Sequence, residues 1–313
     1  MISTIEQYLA ELKKELAGSD RATVQDALAD AEEYLRTAMA NAIAGKKTLA
    51  EAKALAEIIE KYGTPKEIAA AYKDIESRTP PAFARPRAET IKKPLPPAPP
   101  AAPIAPDTRN IFAKFFGIFA EPRMWASLVY LIVAFGTGIA YFTWAVTGIS
   151  LSAGLLVLII GIPIFLLFLL SVRGIALVEG RLVEAMLGIR MPRRPLFTRS
   201  DIGWWQKMKK LFTERQTWTA VLYMFLQMPL GIIYFSVFVS LIGASFWLIF
   251  KPISELAWGI PSFVIGDYGY FTPTWLLPFT VIGGALLLTA TMHIVKFTGK
   301  MHGAYAKAML VSE

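Results

Sequence analysis

The 313 residues include no cysteine and only two histidines, His293 and His302. The first absence excludes disulfides, thiolate nucleophiles and cysteine-ligated metals. The second means that a zinc or iron site would have to be built mainly from carboxylates, an unusual choice for those metals. Catalytic signatures are missing as well: there is no Walker loop, G-x-S-x-G elbow, H-E-x-x-H pair or nucleotide fingerprint. Acidic pairs such as Glu32-Glu33 fall on polar helix faces. No catalytic residue, cofactor or metal is expected, and an enzyme is the least supported class. The N-terminus, MISTIEQYLAELKKELAG, lacks the apolar run of a signal peptide, so this end is expected to stay in the cytosol.

What is abundant is apolar surface. Hydrophobic residues make up 55% of the chain and charged ones 18%, against about a quarter charged in ordinary soluble proteins. The net charge of +8 is unevenly divided. Residues 1–78 hold 11 basic and 14 acidic residues, so the apolar remainder is strongly basic. That excess reads as membrane orientation rather than affinity for nucleic acid.

Three zones follow, and the expected fold class is all-α. Residues 1–78 read as a small soluble domain of four helices, about 4–17, 20–44, 49–62 and 65–77. Ser3-x-x-Glu6, Thr48-x-x-Glu51 and Thr64-x-x-Glu67 match the capping box, Pro65 sits at a first helical position, and Gly45 and Gly63 suit helix ends. On the second helix Val24, Ala27, Ala31, Tyr34, Leu35, Ala38 and Ala42 form an apolar face. Residues 79–110 read as a linker: ten of the 20 prolines lie between Pro80 and Pro106, an extended segment spanning on the order of 80 Å at about 3.1 Å per residue.

Residues 111–313 hold four membrane-length runs, about 125–146, 151–172, 218–250 and 275–295. Ten basic residues lie between Arg173 and Arg215, while the Gly148–Ser150 turn has none and the 251–274 loop only Lys251. The positive-inside rule then puts both termini in the cytosol and makes two hairpins. FAEPRMWASLVYLIVAFGTGIAYF, from Phe119, returns 93 positions later as FTERQTWTAVLYMFLQMPLGIIYF, with eight identities in 24 columns. We read this as duplication of a hairpin, both copies inserted with the same polarity. Gly136, Gly138, Gly161, Gly231, Gly283 and Gly284 permit close helix contact.

No charged side chain lies within these spans, so candidate functional residues are few. Gln227, followed closely by Pro229, can bond across helices or to the carbonyl that proline frees. After the second span, RGIALVEGRLVEAMLGIRMPRR places Ile175, Val178, Leu182, Ala185, Met186 and Ile189 on one stripe. Arg173, Arg181, Glu184 and Gly188 lie on the other side, and this amphipathic helix would lie on headgroups or dock to another helix. Glu179, Arg181, Glu184, Gln227 and Pro229 are the candidates for signal coupling. Trp258, Asp267, Tyr268 and Tyr270 in the outer loop are the candidates for sensing.

The first 78 residues, through YLAELKKEL, ALADAEEYL and EIIEKYGTPKEIAAAY, resemble the HAAS signalling domain, which is associated with PadR-type transcription regulators. The membrane half, through VEGRLVEAMLGIRMPRRP and TERQTWTAVLYMFLQMPLGIIYF, resembles the sensor domain that precedes kinase modules in many bacterial histidine kinases. Where that family commonly shows E-R-R, this chain has Glu179-Gly180-Arg181. The resemblance implies an intramembrane sensor or signalling protein of prokaryotic type; with the four spans this makes a multi-pass protein of the cell membrane, and the aromatic 251–274 loop points to a membrane or lipophilic cue. Output would pass through residues 1–78 to a cytosolic signalling protein or transcription regulator, since no kinase module follows the fourth span. A homo-oligomer is compatible with this, and direct nucleic-acid binding is not expected. A permease-like transport protein and a membrane scaffold are the alternatives.

Overall fold

Four apolar helices dominate the computed structural model, each long and apolar enough to cross a membrane. The structure describes residues 2–45, 51–78, 111–158, 160–192 and 212–311. Residues 79–110, Thr48 and the basic residues Arg193, Arg194, Arg199, Lys207, Lys209 and Lys210 lie outside the described residues. The N-terminal helices are α1 (Ile5–Glu15), α2 (Arg21–Gly45), α3 (Glu51–Tyr62) and α4 (Pro65–Arg78). A short α5 (Ile111–Phe116) precedes the long helices α6 (Pro122–Leu155), α7 (Gly161–Leu187), α8 (Arg215–Leu256) and α9 (Leu277–Leu310). Between α8 and α9 a small antiparallel hairpin pairs β1 (Phe263–Ile265) with β2 (Tyr268–Tyr270) across Gly266-Asp267. The chain divides into two compact units. One holds α1 to α4, Ala140–Leu226 and the chain from Gly303; the other holds α5, the chain to Ile139, and Gln227–His302.

In the first unit, α1 to α4 enclose a core of their own around Tyr8, Leu12, Leu16, Ala31, Leu35, Leu55 and Ile58. On α2, Ala27, Ala31 and Leu35 are buried, whereas Tyr34 is exposed and stacks on Tyr62. Tyr8 carries its hydroxyl to the Gly63 carbonyl at 2.8 Å. Burial, then the neighbouring Tyr62 and Glu67, push that phenol well above its ordinary range. Gly63, at φ +114°, turns the chain into α4. The Thr64 capping box forms as its spacing predicts: Thr64 N–H donates to Glu67 at 2.8 Å and Glu67 N–H to the Thr64 hydroxyl at 3.4 Å. At α1 the cap lies one residue later than expected, on Thr4, whose hydroxyl accepts from Gln7 N–H, while Gln7 reaches back to Ser3. Two adjacent hydroxyls both satisfy the pattern, and the later one has the extended cap geometry. Gly45 is the last residue of α2 rather than the one beyond it.

The first hairpin does not turn at Gly148–Ser150. α6 continues through these residues, and the reversal follows Leu155. Gly148 instead makes room for the Phe168 ring, which a Cβ would penetrate. The glycine of the reversal is Gly161, whose added Cβ would lie 2.5 Å from the Ser152 carbonyl oxygen. The fourth helix is also longer than its apolar run, extending to Leu310.

The duplication is visible in the packing. Met124, Tyr130, Leu131, Ala134, Gly138 and Ala145 are buried along α6; Thr217, Tyr223, Met224, Gln227, Gly231 and Phe238, all 93 positions later, are buried along α8. In the second unit the two lines meet. A Cβ on Gly138 would stand 2.7 Å from the Gln227 carbonyl oxygen, and one on Gly231 would stand 2.5 Å from that of Ala134. The contact maps onto itself when the repeats are exchanged, as a two-fold relation requires. Gly284 closes the second hairpin on Ser245 as Gly161 closes the first on Ser152, the two serines again being 93 positions apart. Gly136 and Gly283, by contrast, have nothing near them, so they are not contact glycines.

Gly231→Ala and Gly136→Ala therefore separate packing from propensity. The first is expected to cost about 1–3 kcal/mol by forcing two backbones apart, and the second to be neutral or stabilising by up to about 1 kcal/mol. Thermal unfolding of the purified chain in detergent reads both. The Thr64 cap has a pH signature. Hydrogen bonds from the Thr64 backbone and hydroxyl hold Glu67 below its ordinary range. Its stabilisation is complete above the unfolded glutamate pKa and is lost as pH falls through the lower folded value. Amide protection at Thr64, corrected for intrinsic exchange, should fall across that acid window in the wild type and stay flat in Glu67→Gln.

Candidate functional site

Glu179 is a buried carboxylate, 1% exposed, on the inner line of α7 with Val172, Val183 and Leu187. The carboxyl group is accommodated there because two phenols converge on it. Tyr141 of α6 donates to Oε2 at 2.9 Å and Tyr223 of α8 to Oε1 at 2.8 Å. Each oxygen thus has a donor, which offsets the desolvation that burial imposes. Tyr223 in turn stacks on Tyr305 of α9 at 5.5 Å, so three other helices position this one carboxylate.

The apolar stripe of Ile175, Val178 and Leu182 is not the packed face: Val178 is 58% exposed, while the face that carries Glu179 is buried. Helical periodicity assigns a glutamate to the solvent side, and the tyrosines that reverse the assignment lie 38 and 44 residues away. Arg181 and Glu184 pair with each other at 2.8 Å on the more exposed side. The structure thus joins two of the coupling candidates and sets Glu179 apart.

A second copy of this arrangement escaped the sequence reading. In the other unit His302, 1% exposed, accepts or donates through Nδ1 to the Tyr234 hydroxyl at 3.3 Å, with the Tyr130 ring 5.2 Å away. Tyr234 and Tyr141 are 93 positions apart, as are Tyr223 and Tyr130. His302 lies 123 positions after Glu179, and the same offset takes Gly161 to Gly284, Val172 to Val295, Gly180 to Gly303 and Ala185-Met186-Leu187 to Ala308-Met309-Leu310. Each polar residue is therefore held by one tyrosine of its own hairpin and faced by one of the other.

Ion pairs obey the same exchange. Arg173 of α7 bonds Glu214 and Thr217, in the second repeat, while Lys296 of α9 bonds Glu121, in the first. Glu121 and Glu214 are 93 apart, and Arg173 and Lys296 are 123 apart. Trp125 and Trp218 repeat as well, each indole donating to the carbonyl six residues earlier, Phe119 at 2.9 Å and Phe212 at 2.8 Å.

Gln227 does not behave as glue. It is fully buried on the inner line of α8, and neither atom of its amide has a hydrogen-bond partner; α8 passes through Pro229 as one helix. His293 bonds the Phe115 carbonyl at 3.0 Å and stacks on its ring, tying α9 to α5. In the loop between α8 and α9, Trp258, Asp267, Tyr268 and Tyr270 are all exposed and share no enclosed site. That hairpin is anchored by a residue outside the candidate set. Glu255, 7% exposed, accepts from the Thr272 N–H and hydroxyl, both at 2.9 Å, and from Ser262. Among the described residues no group of three or more His, Asp or Glu is placed to hold a metal.

Residues 1–78 meet the ends of the long helices within the first unit. Asp20 caps α2, accepting from Ala22 N–H at 2.9 Å, and its other carboxylate oxygen receives the Lys307 ammonium from the last turns of α9. Arg190, just beyond α7, reaches the Glu76 carbonyl of α4 at 3.5 Å.

The fold is thus that of a helical membrane protein carrying a small helical domain ahead of its spans. The chain belongs to the family described as "Putative sensor", whose model matches residues 130–310, and the HAAS model matches residues 7–71. No curated protein and no solved structure matches it. Both families are those that the sequence motifs indicate.

Removing the carboxylate takes an acceptor from each of two buried phenols, so Glu179→Leu should cost about 2–4 kcal/mol. Glu179→Gln keeps one acceptor and should cost roughly half as much. The difference is read from thermal unfolding of the purified chain, and equal losses would reject a specific role for the second phenol.

Proposed function

We propose that this protein is a non-catalytic signalling protein of the cell membrane, with both termini in the cytosol, which passes a lipophilic or bilayer-derived cue to a cytosolic partner through residues 1–78. A PadR-type transcription regulator is the candidate partner that the HAAS match suggests. The observation that carries this reading is the contact between the HAAS domain and the long helices: the α2 cap at Asp20 sits on Lys307, and the α4 carbonyl of Glu76 on Arg190. A shift of α7 or α9 along or about its axis reaches these contacts directly. The pairs are partly exposed, with side-chain exposure of 20% for Lys307 and 27% for Asp20, so each is worth about 1 kcal/mol or less. Weak contacts of that size suit an equilibrium that a modest cue can move.

Deleting residues 1–78 should abolish regulation of the target genes while the four spans still insert. Lys307→Glu should move output in the direction of the cue, and adding Asp20→Lys should return it toward wild type. Output indifferent to the deletion rejects the route, and a pull-down with residues 1–78 as bait, read by mass spectrometry, identifies the partner.

A further inference from the structure

The crossing of α6 and α8 contains one group for which the fold has no use. Gln227 is 0% exposed, and its amide nitrogen and oxygen are both unbonded. A buried amide atom without a partner bears its full desolvation cost. Packing does not require this side chain. The matching position of the first repeat is Ala134, whose backbone makes the same contact with Gly231 that the backbone of Gln227 makes with Gly138. A methyl group fills the place in one repeat, and an amide stands in it in the other. The amide belongs to the point where two glycines bring the backbones together, so its donor and acceptor are presented inside the bundle.

Resting on the sensory reading above, we propose that the Gln227 amide is where the membrane domain binds its cue, a lipid-soluble molecule with a primary amide or protonated carboxylic acid head. Such a head offers a donor and an acceptor side by side and pairs with both atoms of a glutamine amide at once. A charged head has no counterpart here: α6 carries no Asp, Glu, Lys or Arg beyond Arg123, and α8 has none between Gln216 and Phe250. An apolar tail suits the apolar residues of the same crossing, Ala134 and Phe135. Because the site is enclosed, the guest enters only when the glycine contact parts, which links occupancy to the packing of the two hairpins.

The probe is octanamide, titrated into the purified full-length chain in detergent and followed by thermal unfolding; N,N-dimethyloctanamide keeps the tail and the acceptor but lacks the donor. Octanamide should raise the midpoint saturably and the dimethyl compound should not. In Gln227→Ala, which restores the residue type of the first repeat, half-saturation should move at least tenfold higher. Should that variant fail to fold, Gln227→Met keeps the volume and serves instead. Identical titrations of variant and wild type overturn the site. So does a more stable Gln227→Met beside a wild type indifferent to octanamide, which would leave the amide bonded to water or to nothing. Binding is read without any output, so its failure leaves the signalling route standing, whereas output unchanged by loss of residues 1–78 removes the route and leaves the site.

Discussion

The backbone contact at Gly138 and Gly231 is the constraint from which the membrane half is built. Lipid tails are as apolar as leucine, so no hydrophobic force draws the helices together; close approach and dispersion must do so, and only glycine lets two backbones come this near. Each unit holds a hairpin together through a further glycine, Gly161 against Ser152 in the first and Gly284 against Ser245 in the second. The polar side chains then fall where partners await: Arg173 at Glu214, Lys296 at Glu121, Glu179 between two phenols. Directional chemistry follows from the helix positions rather than setting them.

Much of this was legible in the chain. The helices of residues 1–78 fall within two residues of their expected ends because the caps are local, and the one displaced cap, at Thr4, arises where two neighbouring hydroxyls compete. The repeat between α6 and α8 could be read without a gap. That between α7 and α9 could not, because the outer segment of the second hairpin is 30 residues longer and moves the offset from 93 to 123. Gly148 was legible as a glycine but not as a contact, since the Phe168 ring that needs its space lies on another helix. Glu179 shows the same limit: periodicity knows its own helix and nothing of tyrosines elsewhere. The outer β-hairpin did leave a signal, Gly266-Asp267 between FVI and YGY, the dipeptide expected for a tight turn.

The two repeats have kept their scaffold and diverged in chemistry. Glycines, tryptophans, tyrosines and the paired charges recur, while the caged residue is a glutamate in one copy and a histidine in the other, and the residue at the crossing an alanine or a glutamine. Identical packing with unlike polar groups gives a bundle whose halves respond differently to the same disturbance.

The exchanged ion pairs bear on how the protein is made. Glu121 and Arg173 belong to the hairpin that leaves the ribosome first, and each has an ion-pair partner in the second, at Lys296 and Glu214. Until the second hairpin is made, these two links between the repeats cannot form. The ties between the two repeats therefore close only after the later half of the chain has been synthesised.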